Sequence, residues 1–135
     1  MARINGGCWC GKVRYAADAD PTFVAVCHCH ACQKASGSAF GVIVALPANA
    51  LTVTGDVATY HTTGASGKGK HHHFCASCGS PVFSTVDVIP DMKMIRSGTL
   101  DDAGWVKPTM EIMCEEKQPW VSLGADLKSF AGMPG

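Results

Sequence analysis

The sequence has 135 residues and carries no net charge, with 11 basic and 11 acidic side chains, so its length predicts a single domain spanning residues 1–135. Because its basic residues do not cluster, the composition gives no electrostatic reason to expect nucleic acid or an acidic membrane surface as a partner. Residues 1–7 lack the apolar stretch of a secretory signal, and the longest apolar run, 40–46, is too short to span a bilayer.

Glycine and proline interrupt the chain every ten or so residues, and the runs between them are short and rich in β-forming residues. The sequence predicts strands over 12–16, 22–26, 39–46, 51–54, 57–62, 70–74, 81–88, 93–97 and 109–114. A turn at Gly55 and Asp56 separates two of these strands, and 64–69 reads as a flexible loop. The only helix that the pattern supports is one or two turns near 31–36. Many short strands predict a mainly β domain, with a loosely held tail over 125–135.

Eight cysteines in a chain of this size need an explanation. Disulfides are typical of small secreted proteins, but this sequence shows no secretory signal and is long enough to build a core without them. Cys8 and Cys10 are two residues apart, as are Cys27 and Cys29, which is too close for either pair to form an unstrained disulfide. We therefore expect a cytoplasmic protein whose cysteines bind metal or carry out chemistry.

Two cysteine pairs have the form that zinc sites use. Cys75 and Cys78 form a C-x-x-C-G turn, and Cys8 and Cys10 form C-x-C-G. The glycine that follows each pair permits a positive φ angle, which turns backbone amides toward the sulfurs. Together the two pairs would complete a four-thiolate zinc site, although spacing alone does not decide which clusters share an ion.

A third cluster places three thiols, those of Cys27, Cys29 and Cys32, within six residues. Three protein ligands and one open position are typical of catalytic zinc, whereas a fourth ligand such as Cys114 or a histidine would close the site. Zinc held by three thiolates is a weaker Lewis acid than zinc held by imidazoles. This cluster therefore favours the delivery of a bound thiolate over the generation of hydroxide.

Four segments together resemble one known family. They read GCWCGKVRY over 7–15, CHCHACQKASGS over 27–38, FCASCGS over 74–80 and GTLDD over 98–102. In this order they resemble the glutathione-dependent formaldehyde-activating enzyme family. The resemblance implies a β-tent fold of short antiparallel sheets stapled by zinc.

The resemblance also implies the site residues and the reaction. A structural zinc would be held by the residues matching Cys8, Cys10, Cys75 and Cys78, and a second zinc, at the active site, by those matching Cys27, Cys29 and Cys32. The implied activity is that of a carbon–sulfur lyase or synthase that joins glutathione to formaldehyde. Our hypothesis is that a small thiol ionises at the second zinc and attacks formaldehyde or another small aldehyde, giving a hemithioacetal.

Two other functions compete with this one. The first is a zinc-stapled binding module without catalysis, because the same architecture can serve either purpose. The second is zinc-containing sulfoxide reduction with Cys114 as nucleophile, which the C-x-C spacing disfavours. We expect Cys114 to be a spare thiol in a strand.

Several histidines and one lysine could serve the site. His71, His72 and His73 could bind metal, but we expect a strand on which alternate side chains face opposite sides. His28, between two cysteines, could support the thiolates or simply fill a strand position. Lys34 could meet the carboxylates of a substrate such as glutathione, or lie in a solvated turn.

Overall fold

The computed structural model describes residues 3–124 and 126–134, so the predicted domain and tail extend at Met1, Ala2, Ala125 and Gly135 beyond the described residues. Within them the mainly β fold class is confirmed. The elements are β1 (Arg3–Gly7), β2 (Arg14–Asp18), β3 (Phe23–Cys27), α1 (His30–Ser36), β4 (Gly41–Pro47), β5 (Leu51–Thr54), β6 (Val57–Thr63), β7 (Gly69–Cys75), β8 (Pro81–Val86), β9 (Met92–Arg96), β10 (Met110–Ile112) and β11 (Lys128–Ser129). The one helix lies where the sequence predicts it.

The strands form two sheets. A small sheet has the order β1-β2-β5, and an eight-stranded sheet has the order β11-β10-β3-β4-β9-β8-β7-β6. All pairings are antiparallel except that β10 runs parallel to both β3 and β11. The chain passes from the small sheet to the large one at Gly55, whose φ angle is +102°. A Cβ atom there would lie 2.2 Å from the carbonyl oxygen of Lys12, so the position requires glycine.

The large sheet buries apolar side chains on both of its faces. Because successive side chains of a strand point to opposite faces, Val44 packs into one core while its neighbours Ile43 and Ala45 pack into the other. The first core lies between the two sheets and includes Tyr15 of β2. The second core contains Cys27, Cys29 and Cys32, so the three-cysteine cluster is built on the face of the large sheet away from the small sheet.

Both ends of the described chain are more ordered than the sequence suggests. The N-terminal segment, which gave no strand signal, forms β1. Its Gly6 packs so closely that a Cβ atom would lie 2.3 Å from the Tyr15 hydroxyl. In the C-terminal segment, where the sequence predicts a loosely held tail, β11 pairs with β10, and the amides of Met113 and Cys114 donate to the carbonyls of Gly132 and Phe130. Among the described helices, none is long and apolar enough to cross a lipid bilayer.

Candidate metal centres

The first centre joins the β1–β2 turn to the β7–β8 turn. The sulfur atoms of Cys8, Cys10, Cys75 and Cys78 all lie within 4.8 Å of one another. The Sγ atom of Cys10 is 3.6 Å from that of Cys8 and 3.7 Å from that of Cys75. A tetrahedral ion bound at about 2.3 Å from each sulfur needs sulfurs about 3.8 Å apart, so the four residues fit zinc.

Backbone amides support these sulfurs as the C-x-C-G and C-x-x-C-G patterns predict. The Val13 amide donates to the Cys8 sulfur at 3.2 Å, and the Ser77 and Cys78 amides donate to the Cys75 sulfur at 3.3 and 3.4 Å. The glycines that follow the two pairs, Gly11 and Gly79, have φ angles of +82° and +78°. Amide donors stabilise the thiolate form that metal binding needs.

The second centre is formed by the end of β3 and the start of α1. Cys27 ends the strand, Cys29 caps the helix, and Cys32 lies in its first turn. The three sulfurs lie within 4.8 Å of one another, with 3.4 Å between those of Cys27 and Cys29. All three residues are buried. This spacing also fits zinc, with three sulfur donors rather than four.

Two cations approach the three-cysteine cluster from distant strands. Lys70 of β7 places its Nζ atom 3.8 Å from the Cys29 sulfur, and Arg96 of β9 places Nη1 3.5 Å from the Cys32 sulfur. Arg96 is only 7% exposed, and its Nη2 atom has no hydrogen-bond partner among the described residues. Bonds from the neighbouring Cys27 and Cys29 thiols, together with the charges of Arg96 and Lys70, hold the pKa of Cys32 well below its usual range.

His72 lies on the same face of β7 as Lys70 and is electrically neutral at pH 7. Burial, together with the positive charges of Lys70 and Arg96, lowers the pKa of His72 to about 4. The other two histidines of the run point away from the cysteines. His71 bonds to Asp87 at 2.9 Å, and His73 stacks on the ring of Phe83. The expected alternation along the strand is therefore found.

The three cysteines border a mostly apolar cavity of about 360 Å³. Its walls come from β3, β4, β8, β9, the loop over 63–66 and the C-terminal segment, which contributes Met133. A second cavity of about 420 Å³ lies on the other side of Ala31, a residue that borders both cavities. The lining of the second cavity includes Lys34, Tyr60 and His72.

A buried polar network packs against the loop that carries Cys27 and Cys29. His28, which is fully buried, shares a 2.9 Å hydrogen bond through Nε2 with Glu111 of β10. Lys117 and Ser129 also donate to the Glu111 carboxylate, at 2.9 and 3.0 Å. Burial opposes ionisation of this carboxylate, but the bonds from Lys117, His28 and Ser129 lower the pKa of Glu111 to about 2. His28 therefore bonds to Glu111 rather than to a cluster thiolate, and its buried Nδ1 atom has no hydrogen-bond partner among the described residues.

Cys114 does not join the three-cysteine cluster. It lies in a short 3₁₀ turn after β10 rather than in the predicted strand, and its sulfur approaches the carbonyl of Glu111 at 3.7 Å. Burial and the negative charge of Glu111 raise the pKa of the Cys114 thiol. His28, Glu111 and Cys114 lie close enough to hold a metal ion. However, Lys117 already supplies the positive charge that such an ion would bring.

Gly41 of β4 controls the contact between Arg96 and Cys32. A Cβ atom at this position would lie 2.6 Å from Arg96 Nη1 and 3.4 Å from the Cys32 Cβ atom. We expect Gly41→Ala to displace the guanidinium from the sulfur while leaving the four-cysteine centre loaded. The measurement is the zinc content of the variant, compared with Gly98→Ala, where a Cβ atom meets nothing within 4 Å. A faster loss of one zinc equivalent to a chelator is expected for Gly41→Ala only, and equal loss rates would contradict this prediction.

The fold and the two cysteine clusters define a small β domain with two candidate metal centres, one of which adjoins a cavity. The sequence model described as "Glutathione-dependent formaldehyde-activating enzyme" matches residues 3–116. The chain therefore belongs to the glutathione-dependent formaldehyde-activating enzyme family, as the resemblance of its four segments indicated.

Comparison with solved structures supports the fold. A structural-genomics crystal structure of a Rhodobacter sphaeroides protein matches with a TM-score of 0.58 and 19% sequence identity, over 77% of this chain and 91% of that chain. Identity at this level shows a shared fold and carries no functional argument. A comparison with curated proteins found no match.

Proposed function

We propose that this protein is a zinc-dependent carbon–sulfur lyase or synthase that adds a small thiol such as glutathione to formaldehyde or another small aldehyde. The observation that carries the proposal is the three-thiol cluster of Cys27, Cys29 and Cys32 beside a cavity, with no fourth sulfur in its group. Zinc bound there supplies a Lewis acid that lowers the pKa of an incoming thiol. Zinc at Cys8, Cys10, Cys75 and Cys78 would serve the fold alone.

The charges around the cluster favour an anionic sulfur. A divalent ion with three thiolates carries one net negative charge, which would repel an incoming thiolate. Lys70 and Arg96 reverse that sign, and both stand within 3.8 Å of a cluster sulfur. Because Arg96 is buried and its Nη2 atom has no hydrogen-bond partner within the described part of the chain, its charge acts in a region of low dielectric constant. The site is therefore suited to hold a thiol in its reactive, ionised form.

Lys70 also has the position of a proton donor. As the sulfur attacks the carbonyl carbon, the electron pair of the C=O double bond moves to oxygen, and the resulting oxyanion must be stabilised and protonated. Lys70 borders the cavity beside Cys29, whereas His72 is neutral and borders the second cavity. We assign Lys70 to the oxygen of the aldehyde.

The proposed compartment is the cytoplasm. All eight cysteines are free thiols, and both clusters need reduced sulfur to bind metal. A reducing compartment would keep them available.

The test measures exchange between free formaldehyde and its glutathione adduct by NMR, with and without zinc-loaded protein. Wild-type protein is expected to accelerate exchange above the uncatalysed rate. Cys32→Ser should lower the acceleration at least tenfold, and Lys70→Met by about 10²-fold, the usual size of a general acid's contribution. Cys114→Ser and Lys68→Met are the matched controls. Wild-type protein with two zinc equivalents and no acceleration with formaldehyde, nor with a longer aldehyde such as hexanal, would contradict the proposal and favour the non-catalytic binding module.

A further inference from the structure

We propose that the ligand filling the cavity beside Cys27, Cys29 and Cys32 carries an aliphatic chain of several carbons, and that in the proposed reaction this is the chain of the aldehyde. The inference rests on the proposed function for the reaction, but the binding of the chain can be tested without it. Formaldehyde, with one carbon, would be a poor match for this site.

The size of the cavity is the first argument. At about 360 Å³ it has roughly the volume of a dozen water molecules, and pockets of 300–1,000 Å³ hold ligands of many atoms. An aldehyde of one carbon would leave most of this space to water against apolar walls. An aldehyde of five to seven carbons would instead replace that water with hydrocarbon.

The chemistry of the walls is the second argument. The apolar side chains that line the cavity come from several separate elements and include Phe23, Val86, Ile89, Met94, Ile112 and Met113. Methionine is flexible and polarizable, so it adapts to chains of different shape. The cation Lys70 lies at the cysteine end, 3.8 Å from a cluster sulfur, where the carbonyl group would react.

The mouth of the cavity is the third argument. Val88, after β8, is 49% exposed, and Met133, in the C-terminal segment, is 55% exposed, yet both line the cavity. Two exposed apolar side chains at one opening gain free energy when an apolar chain covers them. Glu116 also lines the cavity, and its carboxylate disfavours the negatively charged tail of a thiol such as glutathione.

The second cavity is better suited to the negatively charged tail of a thiol such as glutathione. It is lined by Lys34, Tyr60, Thr62 and His72, and it meets the first cavity at Ala31. Lys34 can pair with a carboxylate, and Tyr60 and Thr62 can form hydrogen bonds. In this proposal the carboxylates of the thiol lie beside Lys34, and the chain of the aldehyde lies against the apolar walls of the first cavity. In the joining step the sulfur forms a bond to the carbonyl carbon, the C=O electron pair moves to oxygen, and the thiol proton ends on that oxygen, so no oxidant is needed.

The first experiment measures binding alone. Zinc-loaded protein is titrated with 1-hexanol, which has a chain but no reactive carbonyl, and binding is followed by ligand-observed NMR. Wild-type protein should bind hexanol more tightly than butanol by about fourfold for each added methylene group. Val86→Trp, which fills the cavity, should weaken hexanol binding at least tenfold. Thr52→Trp, on the exposed side of β5, is the matched control and should not.

The second experiment measures turnover of formaldehyde, butanal and hexanal with glutathione, each relative to its uncatalysed rate. Acceleration should rise with chain length, and Val86→Trp should lower the ratio of hexanal to formaldehyde at least tenfold. Met94→Ala enlarges the cavity and should move the preference to longer chains, a readout that a general loss of stability would not produce.

The outcomes separate this inference from the proposed function. Acceleration with formaldehyde, together with no hexanol binding and no preference for hexanal, would overturn the inference and leave the proposed function standing. Hexanol binding that Val86→Trp removes, without acceleration of any aldehyde, would support the apolar site and contradict the proposed function instead.

Discussion

Cys75→Ser is expected to remove one zinc equivalent and to leave the protein largely unfolded at room temperature, with no cooperative thermal transition. Cys75 is 1% exposed and lies in the first core, and its sulfur accepts hydrogen bonds from two backbone amides. The centre links the end of the small sheet's first strand to a turn more than sixty residues later in the chain. Its loss therefore removes a cross-link that closes a long loop, and it also leaves buried thiols without metal. Structural zinc contributes about 10–16 kcal/mol of binding free energy in small zinc domains, which exceeds the whole stability of most domains of this size.

Zinc content by mass spectrometry and thermal unfolding by circular dichroism would test this prediction, with Cys114→Ser as the control. The control should keep both zinc equivalents and the wild-type midpoint. Removal of metal with a strong chelator should reproduce the effect of Cys75→Ser on wild-type protein. A Cys75→Ser protein that unfolds at the wild-type temperature would show that the four-cysteine centre contributes little to the fold.

Glu111→Gln is expected to lower the free energy of unfolding by about 3 kcal/mol at neutral pH, because it breaks a buried charge network while leaving Lys117 unpaired. The pKa of Glu111 is lowered to about 2 from an ordinary value of 4.5. A lowered carboxyl pKa stabilises the folded state above the unfolded-state value, so this contribution is complete at pH 7 and declines as the pH falls from 4.5 toward 2.

Glu111→Gln should also speed the loss of zinc from the three-cysteine centre, because Glu111 bonds to His28, which lies between Cys27 and Cys29. Urea unfolding at pH 7 gives the stability, and the rate of zinc loss to a chelator reports on the cysteine loop. Glu115→Gln changes an exposed carboxylate three residues after the end of β10 and is the control. Equal zinc-loss rates for the two variants would show that the network supports the fold without positioning the cysteines.

The cysteine clusters could be predicted from the sequence because zinc ligands arrive as closely spaced pairs on turns, a purely local pattern. Which clusters meet in one centre followed from the family resemblance and not from the spacing. The approach of Lys70 and Arg96 to the three-cysteine cluster could not be predicted, because each reaches it from a strand far along the chain. The pairing of His28 with Glu111 likewise depends on the parallel register of β3 and β10, for which no local signal exists.

Two strands escaped prediction for related reasons. β1 ends in two glycines, which have low strand propensity, but it pairs along its whole length with β2. Tyr15 and Thr99 leave space only for glycine at position 6. β11 has two residues and forms only because the edge of β10 is available to it. In both cases tertiary contacts override a weak local preference.

The C-terminal segment adds a consequence for the opening of the cavity. The family match ends at residue 116, yet Ser129 supports the carboxylate behind the cysteine loop and Met133 forms part of the cavity mouth. The C-terminal segment therefore contributes to the cavity wall without carrying any of the seven clustered cysteines. We expect a substitution at Met133 to reshape the opening of the cavity while leaving both cysteine clusters in place.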